Sequence, residues 1–121
     1  MVKKKWFENP VLWIGVVAVA IVVLFAWPSA PGEYDTFATC LTDSGAVMYG
    51  TDLCSHCQAQ KAMFGNSFGK VNFVDCDSDE ESCLIAGVGG YPTWVIDGEN
   101  YPGQQPLTRL AELSGCSLAK G

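Results

Sequence analysis

The sequence predicts an α/β protein, a central mixed sheet flanked by helices, preceded by one N-terminal transmembrane helix. Three observations point there. An unbroken apolar run, VLWIGVVAVAIVVLFAW, fills Val11 to Trp27. Behind it, strand-like and helix-like segments alternate over about ninety residues, enough for one small core. At Cys54-Ser55-His56-Cys57 a short apolar strand gives way to a helix that opens on a Cys-x-x-Cys pair. The expected organisation is a cytoplasmic tail over 1–9, a transmembrane signal anchor over 10–27, a linker over 28–35 and a globular domain over 36–121.

The N-terminal elements follow from charge and length. Lys3, Lys4 and Lys5 precede the apolar run and hold the N-terminus on the cytoplasmic side, with Trp6, Trp13 and Trp27 toward the interfaces. Seventeen helical residues reach roughly 25 Å, a little short of the ~30 Å hydrocarbon core, and flanking residues make up the difference. A cleaved signal peptide has a shorter apolar core and a small-x-small site. Here Pro31 follows Ala30 and spoils that site, so an uncleaved anchor is expected. Either way the rest of the chain is exported, to a periplasm, lumen or cell-wall space. Pro28 to Gly32 reads as a short stiff linker.

In the domain, Tyr34 to Ser44 lacks Pro and Gly and spaces Phe37, Ala38 and Leu41 as a helix does, with a stop at Gly45. Ala46 to Gly50 is a strand, and Ser55 to about Phe68 a helix that turns Cys57, Phe64 and Phe68 inward. Val71 to Asp75 alternates as a strand. It runs into an acidic loop and short helix bracketed by Cys76 and Cys83, which lacks the spacing of a calcium-binding loop and is stapled by a Cys76–Cys83 bridge. Thr93 to Ile96 and Glu99 to Tyr101 form a hairpin about Asp97-Gly98, and Pro92, preceded by glycines, is a candidate cis peptide. Pro106 to Leu113 is the last helix, with Leu107, Leu110 and Leu113 on one face and Gly115 as its stop.

The chemistry is expected at the Cys-x-x-Cys. Cys54 lies at a helix start, where partial positive charge favours a thiolate, and a thiolate near neutral pH lets the pair cycle between dithiol and disulfide. His56 can hydrogen-bond or ion-pair with that sulfur and stabilise the reduced form. Six cysteines, none in the apolar segment, fit an oxidising compartment. The exported part carries four cations, Lys61, Lys70, Arg109 and Lys120, against twelve acids, a net −8, which argues against nucleic acid as a partner.

The order of elements, with Cys54-x-His-Cys57 and Gly90-Tyr91-Pro92-Thr93, resembles the thioredoxin fold over residues 36–116. More narrowly, Met48-Tyr49-Gly50, Cys54-x-His-Cys57-Gln58, Lys61, Phe64-Gly65, the Cys76 and Cys83 pair, Gly90 to Trp94 and Leu113-Ser114-Gly115 resemble the thioredoxin-like domain fused to vitamin K epoxide reductase homologues, here on a membrane-anchored chain of its own. The resemblance implies a cis Pro92 packed against the active-site sulfurs and a Tyr91 backbone that pairs with an extended substrate peptide. Met48 stands where thioredoxins carry a buried acid. Asp52-Leu53 replaces an aromatic pair, and its carboxylate would raise the Cys54 pKa against His56. No cofactor of its own is expected. The implied partners are cysteine-containing exported proteins as substrates and, as electron acceptor, a separate quinone-linked membrane oxidase resembling vitamin K epoxide reductase.

The expected function is a membrane-anchored extracytoplasmic thiol-disulfide oxidoreductase that donates disulfides through Cys54 and Cys57. A reductase or isomerase of the same fold is the alternative in the same chemistry. From other classes, a metal-binding module is disfavoured because residues 54, 56 and 57 rarely converge on one ion, and no metal is expected. Haem attachment fails because Gln58, not His, follows Cys57. An inert bridge in a binding module is the bland option. Cys40 and Cys116 are left either as a clamp between the first helix and the chain's end or as unpaired or intermolecular thiols.

Overall fold

The computed structural model describes residues 9–26 and 30–119, in two units that divide after Ala30. The first holds helix α1, Pro10–Ala26. Asn9 starts it by accepting the Val11 N–H on its side chain at 3.1 Å, and Pro10 takes the first helical position, where its missing N–H costs nothing. The helix is apolar all round and none of its residues is buried. Among the described residues, no helix is long and apolar enough to cross a membrane. The lysine cluster, Trp6, Trp27 and Pro28-Ser29 lie outside the described residues.

The second unit contains helices α2 (Asp35–Asp43), α3 (Ser55–Phe64), α4 (Glu80–Ile85) and α5 (Leu107–Ser114) and strands β1 (Val47–Gly50), β2 (Phe73–Asp75), β3 (Thr93–Ile96) and β4 (Glu99–Pro102). The sheet order is β2-β1-β3-β4. β1 and β2 are parallel across the α3 crossover, and β3 is antiparallel to both β1 and β4. This mixed four-stranded sheet with helices is compatible with a thioredoxin-like fold. The β3–β4 turn is tight because Asp97 and Gly98 both take positive φ, 51° and 77°, matching the twist of the strands it joins.

Aromatic packing forms the core. Phe37 of α2 stacks on Phe64 of α3 at 6.1 Å between centroids, and Phe64 meets Trp94 of β3 at the same distance. Leu41, Met48, Ile96 and Leu110 fill in around them, all essentially inaccessible to solvent. A large polar side chain sits among them. Gln60 is fully buried, and its Oε1 accepts from the Trp94 indole N–H at 3.1 Å and from the Gln105 amide at 2.7 Å, while its Nε2 donates to the Gln105 carbonyl at 2.9 Å. Every hydrogen-bonding atom of that side chain is thereby occupied.

Several boundaries shift by a single residue, and three differ from the sequence expectation by more. The α3 helix stops at Phe64 rather than running to Phe68, because Gly65 turns to φ 55° and a 3-10 segment, Gly65–Lys70, takes over. Phe68 still reaches the cluster, edge-on to Phe64 at 6.0 Å. The expected linker ends earlier than residue 35. Gly32 is buried and donates to Asp35 Oδ2 at 3.1 Å, and the Tyr34 amide donates to Ser67 Oγ at 2.7 Å, so the globular unit takes in the chain from Pro31. The second strand starts at Phe73, since Thr42 Oγ1 accepts the Asn72 amide at 3.1 Å just before it.

Two disulfides close the unit. Cys40 of α2 bonds Cys116 beyond α5, and Cys76 at the end of β2 bonds Cys83 of α4.

Candidate active site

Strand directions assemble the site. Parallel β1 and β2 end together, and antiparallel β3 begins where β1 ends, with Tyr49 opposite Thr93. The segments Thr51–Cys57 and Tyr91–Pro92 therefore meet at one end of the sheet, although they are far apart in sequence. The Tyr91–Pro92 peptide is cis, Pro92 is fully buried, and the Cys54 thiol donates to the Tyr91 carbonyl at 3.6 Å.

Cys54 and Cys57 are both unbridged, the first half-buried and the second fully buried. Cys54 is the N-cap of α3, with extended backbone at φ −85° and ψ 124°, and its sulfur accepts the Cys57 amide N–H at 3.3 Å. A helix start leaves several N–H groups without partners, and here a sulfur takes the place usually held by a Ser or Asp oxygen. Anionic sulfur suits that place better than neutral sulfur. The Cys54 pKa is lowered accordingly: a hydrogen bond from the Cys57 thiol contributes most, and the backbone amides of Cys57 and His56 add to it against a desolvation penalty. Cys57 goes the other way. Its thiol is raised to about 11, by burial first and then by donation to Cys54 and the Cys54 charge, against a hydrogen bond from the Thr51 backbone and the charge of Lys61, which pull it down. One sulfur is thus built to be ionised and reachable, the other protonated and covered.

The other expected site residues are placed as follows. His56 is exposed, and what it gives Cys54 is its main-chain N–H. Tyr91 is 46% exposed and meets Cys54 through its backbone carbonyl. The Asp52 carboxylate does not act on Cys54 as expected. It accepts from Lys61 Nζ at 2.7 Å, and the Asp52 carbonyl accepts from Gln58 Nε2 at 2.6 Å, which fastens the loop ahead of Cys54 to α3. Met48 is fully buried, with no carboxylate at its position. Among the described residues, no group of three or more His, Cys, Asp or Glu side chains is arranged to hold a metal ion.

Sequence reasoning did not single out Gly50 as a site residue. A Cβ there would lie 2.8 Å from Cys57 Sγ and 3.4 Å from the Phe73 ring, so only glycine leaves room for the buried sulfur. The available signal was a glycine closing an apolar strand four residues before the first cysteine, which marks a close approach of backbone to something else.

The chain is 40% identical over 87 residues to the thiol-disulfide oxidoreductase LTO1 of Arabidopsis thaliana, a match covering 64% of this chain and 23% of the relative. It therefore spans about a quarter of that protein's length. No family profile matches the chain. The similarity, with two unbridged cysteines brought together at a helix start, supports a thioredoxin-like oxidoreductase.

Proposed function

We propose that the chain is a membrane-anchored, extracytoplasmic thiol-disulfide oxidoreductase that donates disulfides to exported proteins through Cys54 and Cys57. The observation that carries this is the division of labour between the sulfurs: Cys54, reachable and capping a helix, has its pKa lowered, while Cys57, buried behind it, is raised to about 11. A reduced form stabilised as a thiolate makes the corresponding disulfide more oxidising.

In the oxidised protein a substrate thiolate attacks Cys54 Sγ, because Cys57 is covered. The Cys54–Cys57 bond breaks, a substrate–Cys54 bond forms, and Cys57 leaves as a thiolate that takes up a proton. A second substrate thiolate attacks the substrate sulfur of this mixed disulfide and expels Cys54 as a thiolate. Two substrate thiols have then become a disulfide, and two electrons rest on the pair. A quinone-linked membrane oxidase resembling vitamin K epoxide reductase takes them in our reading. The backbone at Tyr91, beside Cys54, is where an extended substrate strand would lie. The apolar α1 supports the anchor and, with the oxidising pattern of four further bridged cysteines, an exported location.

Equilibration of the Cys54/Cys57 couple with glutathione tests the reading. A potential near ~−120 mV supports a donor, whereas one near ~−270 mV makes the protein a reductase. Failure to exchange with glutathione at all would leave an inert bridge.

A further inference from the structure

Cys57 has a problem that Cys54 does not. It must carry negative charge for an instant in each exchange, yet it is wholly buried, and an unpaired buried charge is costly. Met48 supplies no acid beneath it. The nearby cation is Lys61, one helical turn beyond Cys57 on the same face of α3. Its side chain is only 19% exposed, and it donates to Asp52 Oδ1 at 2.7 Å. Its Nζ also sits 4.2 Å from the Phe73 ring centroid and 5.4 Å from that of Phe68. The Phe73 ring and Cys57 Sγ crowd the same point beside Gly50, so the ammonium is held against the wall of the cysteine's own pocket.

We propose that Lys61 is a positioning residue that supports the Cys57 thiolate during exchange, with Asp52 as the counter-charge that tempers it; this rests on the exchange reading above. The surroundings leave few rivals. Cys54 is the other titrating group in contact. On β2, Asp75 is engaged with the Asp77 amide at 2.9 Å and the Ser78 hydroxyl at 3.3 Å. β3 brings the uncharged Thr93 and Trp94, β1 the uncharged Met48 and Gly50, and His56 is exposed on the first turn of α3. The charge of Lys61 draws the Cys57 pKa down, opposing the larger effect of burial.

The test is the release of glutathione from a mixed disulfide on Cys54, followed against pH in the full chain. Cys57 thiolate attacks Cys54 Sγ, the Cys54–Cys57 bond forms, the bond to glutathione breaks, and glutathione leaves with the electron pair and takes a proton from water. Lys61→Met should move the midpoint up and slow release near neutral pH by about three- to tenfold, while Lys61→Arg keeps the charge and stays near wild type. Asp52→Asn removes the counter-charge but leaves the Phe73 and Phe68 contacts. It should lower the midpoint and speed release. Both K61M and D52N break the same ion pair, so a merely structural role would move them the same way. A K61M profile that superimposes on wild type, or a D52N variant that slows with K61M, overturns the assignment. Should K61M fail to fold, absence of acceleration in D52N alone overturns it. A wild-type mixed disulfide that releases no glutathione at any pH overturns the exchange reading itself.

Discussion

At the scale of single residues, the site depends on hydrogen bonds that a helix start leaves unfilled. The lowered Cys54 pKa means that its thiolate persists as pH falls below the ordinary thiol range, and its reactivity disappears only when pH passes down through the lowered value. Because the Cys57 thiol is the largest cause and His56 contributes its amide, Cys57→Ala should raise the Cys54 midpoint more than His56→Ala does. Thiolate absorbance against pH in the two variants checks this, and the reverse order would return the leading role to the imidazole. Gly50→Ala would push a methyl into Cys57 Sγ. Overpacking of this kind should cost about 1–3 kcal/mol in urea denaturation and slow glutathione exchange. The cysteine pair was legible in the sequence because its spacing and helix-start context are local. Gly50, Lys61 and the pairing of Asp52 with Lys61 were not, because they depend on which ring and which charge tertiary packing brings alongside.

At the scale of elements, pattern reading worked where periodicity and turn residues agree. Phe37, Ala38 and Leu41 face the core as their spacing required, and Asp97-Gly98 makes the hairpin. It overran at α3, where Phe64 and Phe68 keep helical spacing across Gly65 although the backbone turns there, so hydrophobic period alone concealed the break. The Gln60 clip was invisible for another reason. A glutamine on a helix reads as solvated, and only the fold shows it joining α3, β3 and the segment before α5. Gln60→Leu would leave the Trp94 indole and Gln105 amide donors without their acceptor. A loss of about 2–4 kcal/mol in urea denaturation is expected, and a loss below about 0.5 kcal/mol would show that those groups find other partners.

At the scale of the whole molecule, two units of different character share one chain. α1 is apolar on every side, whereas the globular unit is strongly acidic and tied by two disulfides. We expect the full chain to remain with lipid vesicles after alkaline washing. On the proposed anchor reading, replacing Val17 and Val19 by lysine should release it, since a charge placed in lipid at the middle of an apolar helix costs about 3 kcal/mol. Vesicle-free wild-type protein would remove the anchor from the account while leaving the redox site intact. Everything proposed for substrates and electron partner rests in turn on Cys54. The most direct measurement is therefore the rate of iodoacetamide alkylation of the reduced full chain against pH, with the modified residue identified by mass. The account predicts alkylation at Cys54 with a midpoint below the ordinary thiol value and Cys57 untouched until far more alkaline pH. A Cys54 midpoint at or above that of a cysteine in an unstructured peptide would contradict it.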